Sequence, residues 1–303
     1  MNNYKEIFES SVNGLLKYLE KNGLRSVVLG ISGGIDSTVC AVICSEAVKR
    51  KPDLEFYGVS LPCKTNQEDE VSTADKVGKA FVKDYWEHEF QVEFEEIERW
   101  CSGKFSSTPL SKGNIKARLR MIYLRNLAGL KRGIVIGTSN LTEENTGFFT
   151  IAGDVGDVDL IAELWKHEVY ELAEWIVTNY CETEEQKDAV LSSTKLTPTD
   201  GNGVAAGGDL AQIAPSLKSY LELDEILMTY LMYKEKPVEA NLFFLNKVTD
   251  KYGEETVNSI IARHKGSEFK RSKLPIVLNL SGINREEPTK EELTRHISSA
   301  EEN

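Results

Sequence analysis

The sequence lacks several features that define common functional classes. Its cysteines number five and contain no Cys-x-x-Cys pair, so it has neither the framework of a disulfide-stabilised secreted domain nor a zinc-site spacing. Its four histidines show no metal-ligand spacing either. No run of about 18 apolar residues occurs, and no apolar signal segment stands at the start. We therefore expect a cytoplasmic protein with no membrane association.

The sequence also has fewer basic residues than acidic ones. The chain has 36 basic and 48 acidic residues, for a formal net charge of -12. A large nucleic-acid footprint needs a basic surface to neutralise phosphates, so we predict no nucleic-acid partner. The hydrophobic fraction of 41% is that of a folded globular protein with a substantial core.

Short apolar runs alternate along the chain with segments of helical periodicity. We predict strands within residues 27–29, 56–61 and 133–137, and a short strand within 89–92. The predicted helices cover residues 38–50, 67–83, 93–101, 114–130, 166–177, 221–233 and 253–265, after an opening helix that ends at Asn22-Gly23. Continuous apolar strands that alternate with helices indicate a doubly wound, Rossmann-like α/β fold, with a mostly parallel sheet and helices on both faces.

No internal repeat or clear boundary divides the sequence. We expect residues 1–280 to form a single catalytic domain and the charged residues 281–303 to form a tail or a short peripheral helix. Residues 192–214 are rich in glycine with little periodicity. We expect a mobile loop there that closes over a substrate, with a disordered connector as the alternative.

The segment Gly30-Ile31-Ser32-Gly33-Gly34-Ile35-Asp36-Ser37 carries the clearest functional signal. It joins a predicted strand to a predicted helix, so main-chain N–H groups and the positive end of the helix dipole converge on it. Glycines let phosphates approach the backbone, and Ser32 and Ser37 add hydroxyl donors. We predict a pyrophosphate site with Asp36 as a ligand of Mg²⁺. An ordinary tight turn is the alternative.

Two absences narrow the class of this loop. No Lys follows the glycines, so it is not a Walker A loop. The second glycine of the Gly-x-Gly-x-x-Gly fingerprint is also missing, which argues against a hydride-transfer enzyme. The pattern resembles the pyrophosphate loop of the ATP-pyrophosphatase superfamily, whose members split ATP into AMP and pyrophosphate. This resemblance implies ATP as a co-substrate.

Two later segments carry further candidate groups. Arg118 and Arg120 lie on different faces of one predicted helix, so we expect one arginine to reach a site and the other to face elsewhere. After the predicted strand that ends near Gly137, Thr138 and Ser139 are candidate helix caps or phosphate contacts.

Glu143 follows within the next helical turn. We predict that it is a second Mg²⁺ carboxylate opposite Asp36, because Mg²⁺ on ATP phosphates takes one or two protein carboxylates. The alternative is a favourable charge at a helix N-terminus.

A set of motifs spanning residues 5–278 occurs in the order found in NAD⁺ synthetases, and the chain resembles the ammonia-dependent members of that family. The motifs are 32–37 (SGGIDS), 114–121 (NIKARLRM), 137–143 (GTSNLTE), 147–150 (GFFT) with Gly153-Asp154, 164–166 (LWK) with 168–172 (EVYEL), Pro198-Thr199 and 268–271 (EFKR).

The resemblance implies a site assembled from distant segments. The residues that would bind ATP are Gly30, Ile31, Ser32, Gly33, Gly34, Ile35, Asp36, Ser37, Thr138, Lys166 and Thr199. The residues that would contact deamido-NAD⁺, partly across a homodimer interface, are Arg118, Asp157, Phe269 and Lys270. Asp36 and Glu143 would be the catalytic residues, as ligands of Mg²⁺.

The resemblance also implies the reaction. ATP would adenylate the nicotinate carboxylate of deamido-NAD⁺, and ammonia would then displace AMP to give NAD⁺. Glutamine-dependent members carry an amidase domain before the synthetase, and only a short segment precedes the first predicted strand here. Free ammonia is therefore the expected nitrogen donor, with delivery by a partner amidase as the alternative.

The sequence departs from the family pattern in several places. The departures are Ile151-Ala152 in place of a Lys, a 153–157 segment that is one residue short, Ser60 in place of an Arg, and Phe269 in place of a His. The short segment leaves Asp159 as an alternative to Asp157, and His264-Lys265 offers a second alignment for Phe269-Lys270. Three other functions remain: a different amidoligase with the same loop, a catalytically impaired nucleotide-binding or regulatory protein, and an unrelated α/β binding module.

Overall fold

Five parallel strands form one sheet in the part of the chain that this computed structural model describes, which is residues 3–104, 106–199, 201–204 and 208–271 without the side chains of residues 238–242. The strands are β1 (Ser26–Gly30), β2 (Glu55–Ser60), β3 (Asp84–Glu87), β4 (Gly133–Gly137) and β5 (Val158–Asp159). Their order across the sheet is β3-β2-β1-β4-β5. The chain runs outward from β1 to β3 and then returns to β4 on the other side of β1. The carboxyl ends of β1 and β4 are therefore where a crevice opens in such a sheet.

Helices cover both faces of the sheet. Val27 and Leu29 of β1 lie in one buried cluster and Val28 in another, because successive side chains of a strand point to opposite faces. The described helices are α1 (Tyr4–Lys21), α2 (Ile35–Arg50), α3 (Glu68–Phe81), α4 (Gln91–Ser102), α5 (Pro109–Leu130), α6 (Leu141–Thr146), α7 (Lys166–Asn179), α8 (Glu184–Lys195), α9 (Asp209–Ile213), α10 (Tyr220–Tyr233), α11 (Val238–Tyr252), α12 (Glu254–Gly266) and α13 (Glu268–Arg271). The predicted doubly wound α/β fold is confirmed.

The helices divide among three buried clusters. α1, α2, α3, α7 and α8 pack on the face that carries Leu29, and α4 and α5 pack on the face that carries Val28. A third cluster around Leu223 and Ile226 of α10 joins α9, α10, α11 and α12. None of the described helices is long and apolar enough to cross a membrane.

The prediction of a strand within residues 89–92 is wrong. The third strand is Asp84–Glu87, and residues 91 onward form α4. β3 is an edge strand that pairs with β2 alone in the described sheet. Its sequence, Asp-Tyr-Trp-Glu, has acidic, exposed residues at both ends and therefore lacks the apolar run that marks a central strand.

The described parts of residues 192–214 contain helical structure that the sequence pattern does not indicate. α8 continues to Lys195, where the buried Ser193 donates a hydrogen bond to the Val190 carbonyl (2.7 Å), and α9 begins at Asp209. The glycine-rich sequence does not indicate where α8 ends or where α9 begins, because tertiary packing rather than local propensity decides both. The predicted tail, residues 281–303, lies outside the described residues, as does every residue after Arg271.

Candidate active site

The loop between β1 and α2 is held in shape by its own hydroxyl groups. The Oγ atoms of Ser32 and Ser37 lie 3.0 Å apart, and Ser37 donates a hydrogen bond to the Gly34 carbonyl (3.0 Å). The Gly34 N–H in turn donates to Ser32 Oγ (3.2 Å). Because α2 begins at Ile35, the loop is directly followed by the positive end of a helix dipole.

Gly33 fits the loop against α3. Its φ of 87° lies in the left-handed region, and a Cβ there would overlap the main-chain oxygen of Glu70. Only glycine satisfies both conditions without strain. Gly33 thus turns away from the cavity, while its neighbours in the loop line it.

A buried lysine draws three elements together beside this loop. Lys166 begins α7, and its side chain is 3% exposed. Its Nζ donates to Asp36 Oδ2 of α2 and lies 3.6 Å from Glu143 Oε1 of α6. Two residues predicted as metal ligands and one predicted as an ATP contact therefore share one small site, although more than a hundred positions separate Asp36 from the other two.

Burial and charge oppose each other at this site. Burial alone would lower the pKa of the Lys166 ammonium, but the carboxylates of Asp36 and Glu143 outweigh it and hold that pKa well above its ordinary range. Burial, then the neighbouring charge of Asp36, raises the pKa of Glu143 to about 8, although Lys166 acts in the other direction. The Glu143 carboxyl therefore binds a proton more readily than an ordinary glutamate does.

Asn140, which the sequence interpretation missed, orients both carboxylates. Its Nδ2 donates a hydrogen bond to Asp36 Oδ1 (2.9 Å), and its main-chain N–H donates one to Glu143 Oε2 (3.3 Å). Its Oδ1 accepts a hydrogen bond from the Glu143 N–H (3.0 Å). It is the N-cap of α6, a role that we predicted for Thr138 or Ser139. The four residues Asn-Leu-Thr-Glu form a capping box, and that pattern was the available signal.

Asp224 fixes the start of α7 from the opposite side. The residue is fully buried, and its carboxylate accepts hydrogen bonds from the Thr142 hydroxyl (2.5 Å) and from the His167 N–H (3.0 Å). Thr142 Oγ1 in turn accepts from the Lys166 N–H (2.8 Å). Asp224 lies on α10, so no local sequence pattern linked it to the site.

Asp36, Glu143 and Lys166 line a cavity of about 550 Å³ at the carboxyl ends of β1 and β4, a volume typical of small-molecule sites. The predicted site residues that line it are Gly30, Ile31, Ser32, Gly34, Ile35, Asp36, Ser37, Arg118, Thr138, Glu143, Lys166, Thr199 and Lys270. Candidate contacts to both predicted substrates, ATP and the acceptor, therefore line the same cavity. Among the described residues, no group of three or more His, Cys, Asp or Glu side chains could hold a metal ion by itself.

Gly33, Asp157 and Phe269 do not line this cavity. The Asp157 carboxylate binds the Arg125 guanidinium (2.5 Å) and accepts from the Val135 N–H (2.9 Å). Phe269 lies on α13 and is 54% exposed. The structure therefore places these two predicted acceptor contacts outside the group that lines the cavity.

The expectation that one of Arg118 and Arg120 faces elsewhere is wrong, because both line the cavity. Arg118 donates to the Ile151 carbonyl (3.3 Å). Arg120 donates to Asn202 Oδ1 (2.5 Å) and to the Gly201 carbonyl (3.2 Å). The segment after Thr199 folds over α5, so the cavity wall extends to the second face of this helix.

Thr199 and Glu70 close the side of the cavity near the loop. The Thr199 hydroxyl donates to Glu70 Oε1, and the Gly201 N–H donates to Thr199 Oγ1 (3.2 Å). The buried Lys116 donates to Thr65 Oγ1 (2.9 Å) and to the Asn202 carbonyl (3.0 Å). The segment that we predicted to be mobile is thus anchored at Thr199 and at 201–202.

The fold and this site define a class of protein. A parallel sheet with a Ser/Gly loop after its first strand, and acidic groups after its fourth, is the arrangement of nucleotide-binding α/β proteins of the ATP-pyrophosphatase type. A sequence profile described as NAD synthase matches residues 7–196, more than half of the chain. The chain belongs to the NAD synthase family.

The relatives of this chain include NH₃-dependent and glutamine-dependent NAD⁺ synthetases. The NH₃-dependent NAD⁺ synthetase of Thermoplasma acidophilum is 30% identical over 230 residues, which cover 75% of this chain and 87% of that protein. The glutamine-dependent NAD⁺ synthetase of Thermotoga maritima is 25% identical over 280 residues, which cover 91% of this chain. The match spans 45% of that protein, less than half of its length.

A solved structure of an NMN synthetase from Francisella tularensis superposes with a TM-score of 0.72 at 25% identity. The match covers 92% of this chain and 100% of that one.

We predict that Gly33→Ala destabilises the chain by about 1–3 kcal/mol, because the new Cβ meets the α3 backbone in a left-handed conformation. Gly129→Ala is the matched control: nothing lies within 4 Å of its added Cβ, and alanine in a helix stabilises by up to about 1 kcal/mol. Urea unfolding measures both. Equal stability of Gly33→Ala and wild type would show that the loop does not need this glycine.

The pH dependence of stability tests the contact between His167 and Asp224. The hydrogen bond to Asp224 (2.8 Å) outweighs burial and raises the pKa of His167. The resulting stabilisation is complete below about pH 6.5, the ordinary pKa of histidine, and is lost as the pH rises through the raised value. We predict that the free energy of unfolding falls less steeply with pH in His167→Gln above that point. An unchanged slope contradicts the assignment.

Proposed function

We propose that this chain amidates the nicotinate carboxylate of deamido-NAD⁺ with free ammonia, consuming ATP and releasing NAD⁺, AMP and pyrophosphate. One observation carries the proposal: a single cavity has a phosphate-type loop with two carboxylates and a lysine at one end, and the cationic side chains Arg118, Arg263 and Lys270 at the other. Such a space accommodates a nucleoside triphosphate beside a second anionic substrate.

The loop end supports binding of the triphosphate. The N–H groups that open α2 and the dipole of that helix favour the group with the highest negative charge, the pyrophosphate that leaves. Lys166 lies in the same buried site and supplies a fixed positive charge where charge develops on the transferring phosphoryl group. Fixed charges of this kind need no rearrangement during the reaction.

The residues present fit a magnesium ion. Asp36 and Glu143 offer hard carboxylate oxygens, and Mg²⁺ is usually held by one or two carboxylates together with substrate phosphates and water. Burial raises the pKa of Glu143, and the charge of Asp36 raises it further; a bound Mg²⁺ would favour the ionised form of both carboxyl groups. A bound Mg²⁺ would neutralise phosphate charge there, and the Nδ2 and main-chain N–H of Asn140 would keep both carboxylates in position.

The reaction has two steps. A carboxylate oxygen of the nicotinate attacks the α-phosphorus of ATP, and the bond from that phosphorus to the bridging oxygen of pyrophosphate breaks. Ammonia then attacks the carboxyl carbon, its nitrogen loses a proton, and the carbon–oxygen bond to AMP breaks. Exclusion of water from the cavity while the adenylate is bound would protect it from hydrolysis. No nucleophilic side chain is needed.

Ammonia as the nitrogen source is supported by the Thermoplasma relative, which is described as NH₃-dependent and which this chain covers over 87% of its length.

A second acceptor is the mononucleotide. The Francisella structure is described as an NMN synthetase, and the match covers 92% of this chain and 100% of the Francisella chain. Ile151-Ala152 also removes a charged contact to the dinucleotide that the family pattern implies. Amidation of nicotinate mononucleotide would use the same loop, metal site and lysine.

The homodimer, the cytoplasmic location and the single domain over residues 1–280 stay predictions. A dimer interface on α5, the helix that carries Arg118, would cover Ile122 and Leu130, which are 65% and 73% exposed. Removal of these exposed apolar side chains from water is the gain that such an interface would bring.

We predict that the purified chain forms equal amounts of AMP and NAD⁺ from deamido-NAD⁺, ATP and ammonium. Parallel reactions replace ammonium with glutamine, and deamido-NAD⁺ with nicotinate mononucleotide. Chromatography measures every product. Release of ADP and phosphate contradicts the role of the loop, and faster turnover of the mononucleotide selects the second acceptor. ATP binding without turnover indicates an impaired relative.

We predict that Asp36→Asn and Glu143→Gln each reduce AMP formation by roughly 10²- to 10³-fold or more, the cost of losing one well-placed charged group. Both changes keep the side-chain shape, so thermal unfolding should remain cooperative. Glu144→Gln is the matched control, because Glu144 adjoins Glu143 but does not line the cavity. Near-normal turnover in Asp36→Asn or Glu143→Gln would overturn the metal assignment.

A further inference from the structure

The end of the cavity away from the loop carries two cations that hold one main-chain segment. Arg263 of α12 donates through Nε to the Thr146 carbonyl (2.9 Å). Lys270 of α13 donates through Nζ to the carbonyls of Gly147 (2.7 Å) and Phe149 (2.5 Å). Both side chains are partly buried and line the cavity.

These contacts leave donors available. A guanidinium has five N–H bonds and an ammonium three. Among the described residues, Arg263 donates a hydrogen bond through Nε alone, and its two terminal nitrogens have no acceptor among them. Lys270 has two acceptors for its three N–H bonds. The carbonyls thus orient each group while donors remain for a ligand.

The pair is short of negative charge. Among the described residues, neither Arg263 nor Lys270 has a carboxylate oxygen within 4.0 Å of its side-chain nitrogens. The carboxylates of Asp36 and Glu143 form their ion pairs with Lys166. Burial lowers the pKa of Arg263. Burial, then the charge of Arg263, lowers the pKa of Lys270, and the carboxylate of Asp154 acts weakly in the opposite direction. Like charges packed together in a net acidic protein are costly without a bound anion.

Gly147 permits this packing. It ends α6 with φ 62°, and a Cβ there would overlap Ser267 and approach Lys270 Cδ to 3.4 Å. The absence of a side chain lets α13 approach the chain after α6 closely enough for Lys270 to reach two carbonyls. The arrangement therefore depends on a backbone feature as well as on the two cations.

We propose that Arg263 and Lys270 form a phosphate site that binds the phosphate group next to the nicotinate ribose of the acceptor. This inference rests on the proposed function and adds to it the chemical group that Arg263 and Lys270 bind. A guanidinium whose two terminal nitrogens have no acceptor among the described residues matches the bidentate geometry of a phosphate. Deamido-NAD⁺ and nicotinate mononucleotide share this phosphate, so the site accepts either and rejects the riboside.

A purely structural role makes a different prediction. Arg271 donates to the Glu144 and Asn145 carbonyls (3.3 and 3.4 Å) of the same segment but does not line the cavity. If Arg263 only holds the end of α6, its loss should resemble the loss of Arg271. If Arg263 binds phosphate, only its loss should discriminate among ligands.

The experiment compares the binding of three ligands by calorimetry, each with α,β-methylene-ATP present. The ligands are deamido-NAD⁺, nicotinate mononucleotide and nicotinate riboside. We expect Arg263→Gln to weaken the two phosphate-bearing ligands by roughly 10- to 100-fold, the value of a charged hydrogen-bonded contact. The riboside and the ATP analogue should change by less than roughly twofold. Arg263→Lys should recover part of the loss.

One variant serves as the matched control. Arg271→Gln removes a cation that donates to carbonyl groups of the same segment. It should bind all three ligands as wild type does. Comparison of deamido-NAD⁺ with nicotinate mononucleotide shows which of them supplies the phosphate, because wild type should bind the preferred acceptor more tightly.

The outcomes separate this inference from the proposed function. A wild-type preference for phosphate-bearing ligands that survives in Arg263→Gln, or no such preference, overturns the phosphate site even if NAD⁺ is formed. Nucleotide binding that depends on Arg263 without amide formation overturns only the proposed function. If wild type binds none of the three ligands, both are wrong.

Discussion

The site depends on the burial of the Lys166 ammonium between the carboxylates of Asp36 and Glu143. An ammonium that is almost fully buried is tolerated only where opposite charge compensates its lost hydration. α2, α6 and α7 must therefore assemble together, since each supplies one member of this group. Asn140 and Asp224 extend the constraint by fixing the carboxylates and the start of α7. The strand ends converge on this charge cluster, and the cavity opens beside it.

The cavity is polar in opposite senses at its two ends. Near the loop, the carboxyl oxygens of Asp36 and Glu143 lie beside the ammonium of Lys166, a donor set that suits a metal-bound polyphosphate. At the far end, Arg263 and Lys270 lie without a carboxylate ion-pair partner among the described residues. In a chain with a net charge of -12, such a local excess of positive charge indicates a site for an anion. The two ends thus favour two different phosphate-bearing molecules in adjacent positions.

Much of this arrangement could be predicted from local pattern. The loop from Gly30 to Ser37, the buried strands and most helices follow from residue order alone, because glycine, apolar runs and helical periodicity act over short distances. β3 was misplaced because an edge strand needs no apolar run. Asp157 and Phe269 were assigned by family resemblance, and the structure places both outside the cavity lining. Asp224 and Arg263 were missed, since each joins the site from a helix far along the chain.

The sequence by itself determined the type of fold, the phosphate-type loop and the candidate chemistry of Asp36, Glu143 and Lys166. Only the tertiary structure decided which of the candidates share a cavity, how Asn140 aligns two of them, and that Arg263 accompanies Lys270 at the far end. The physical reason is the range of the forces involved. Turn geometry and periodicity are fixed by neighbouring residues, whereas the compensation of buried charges depends on groups that meet only when the chain has folded.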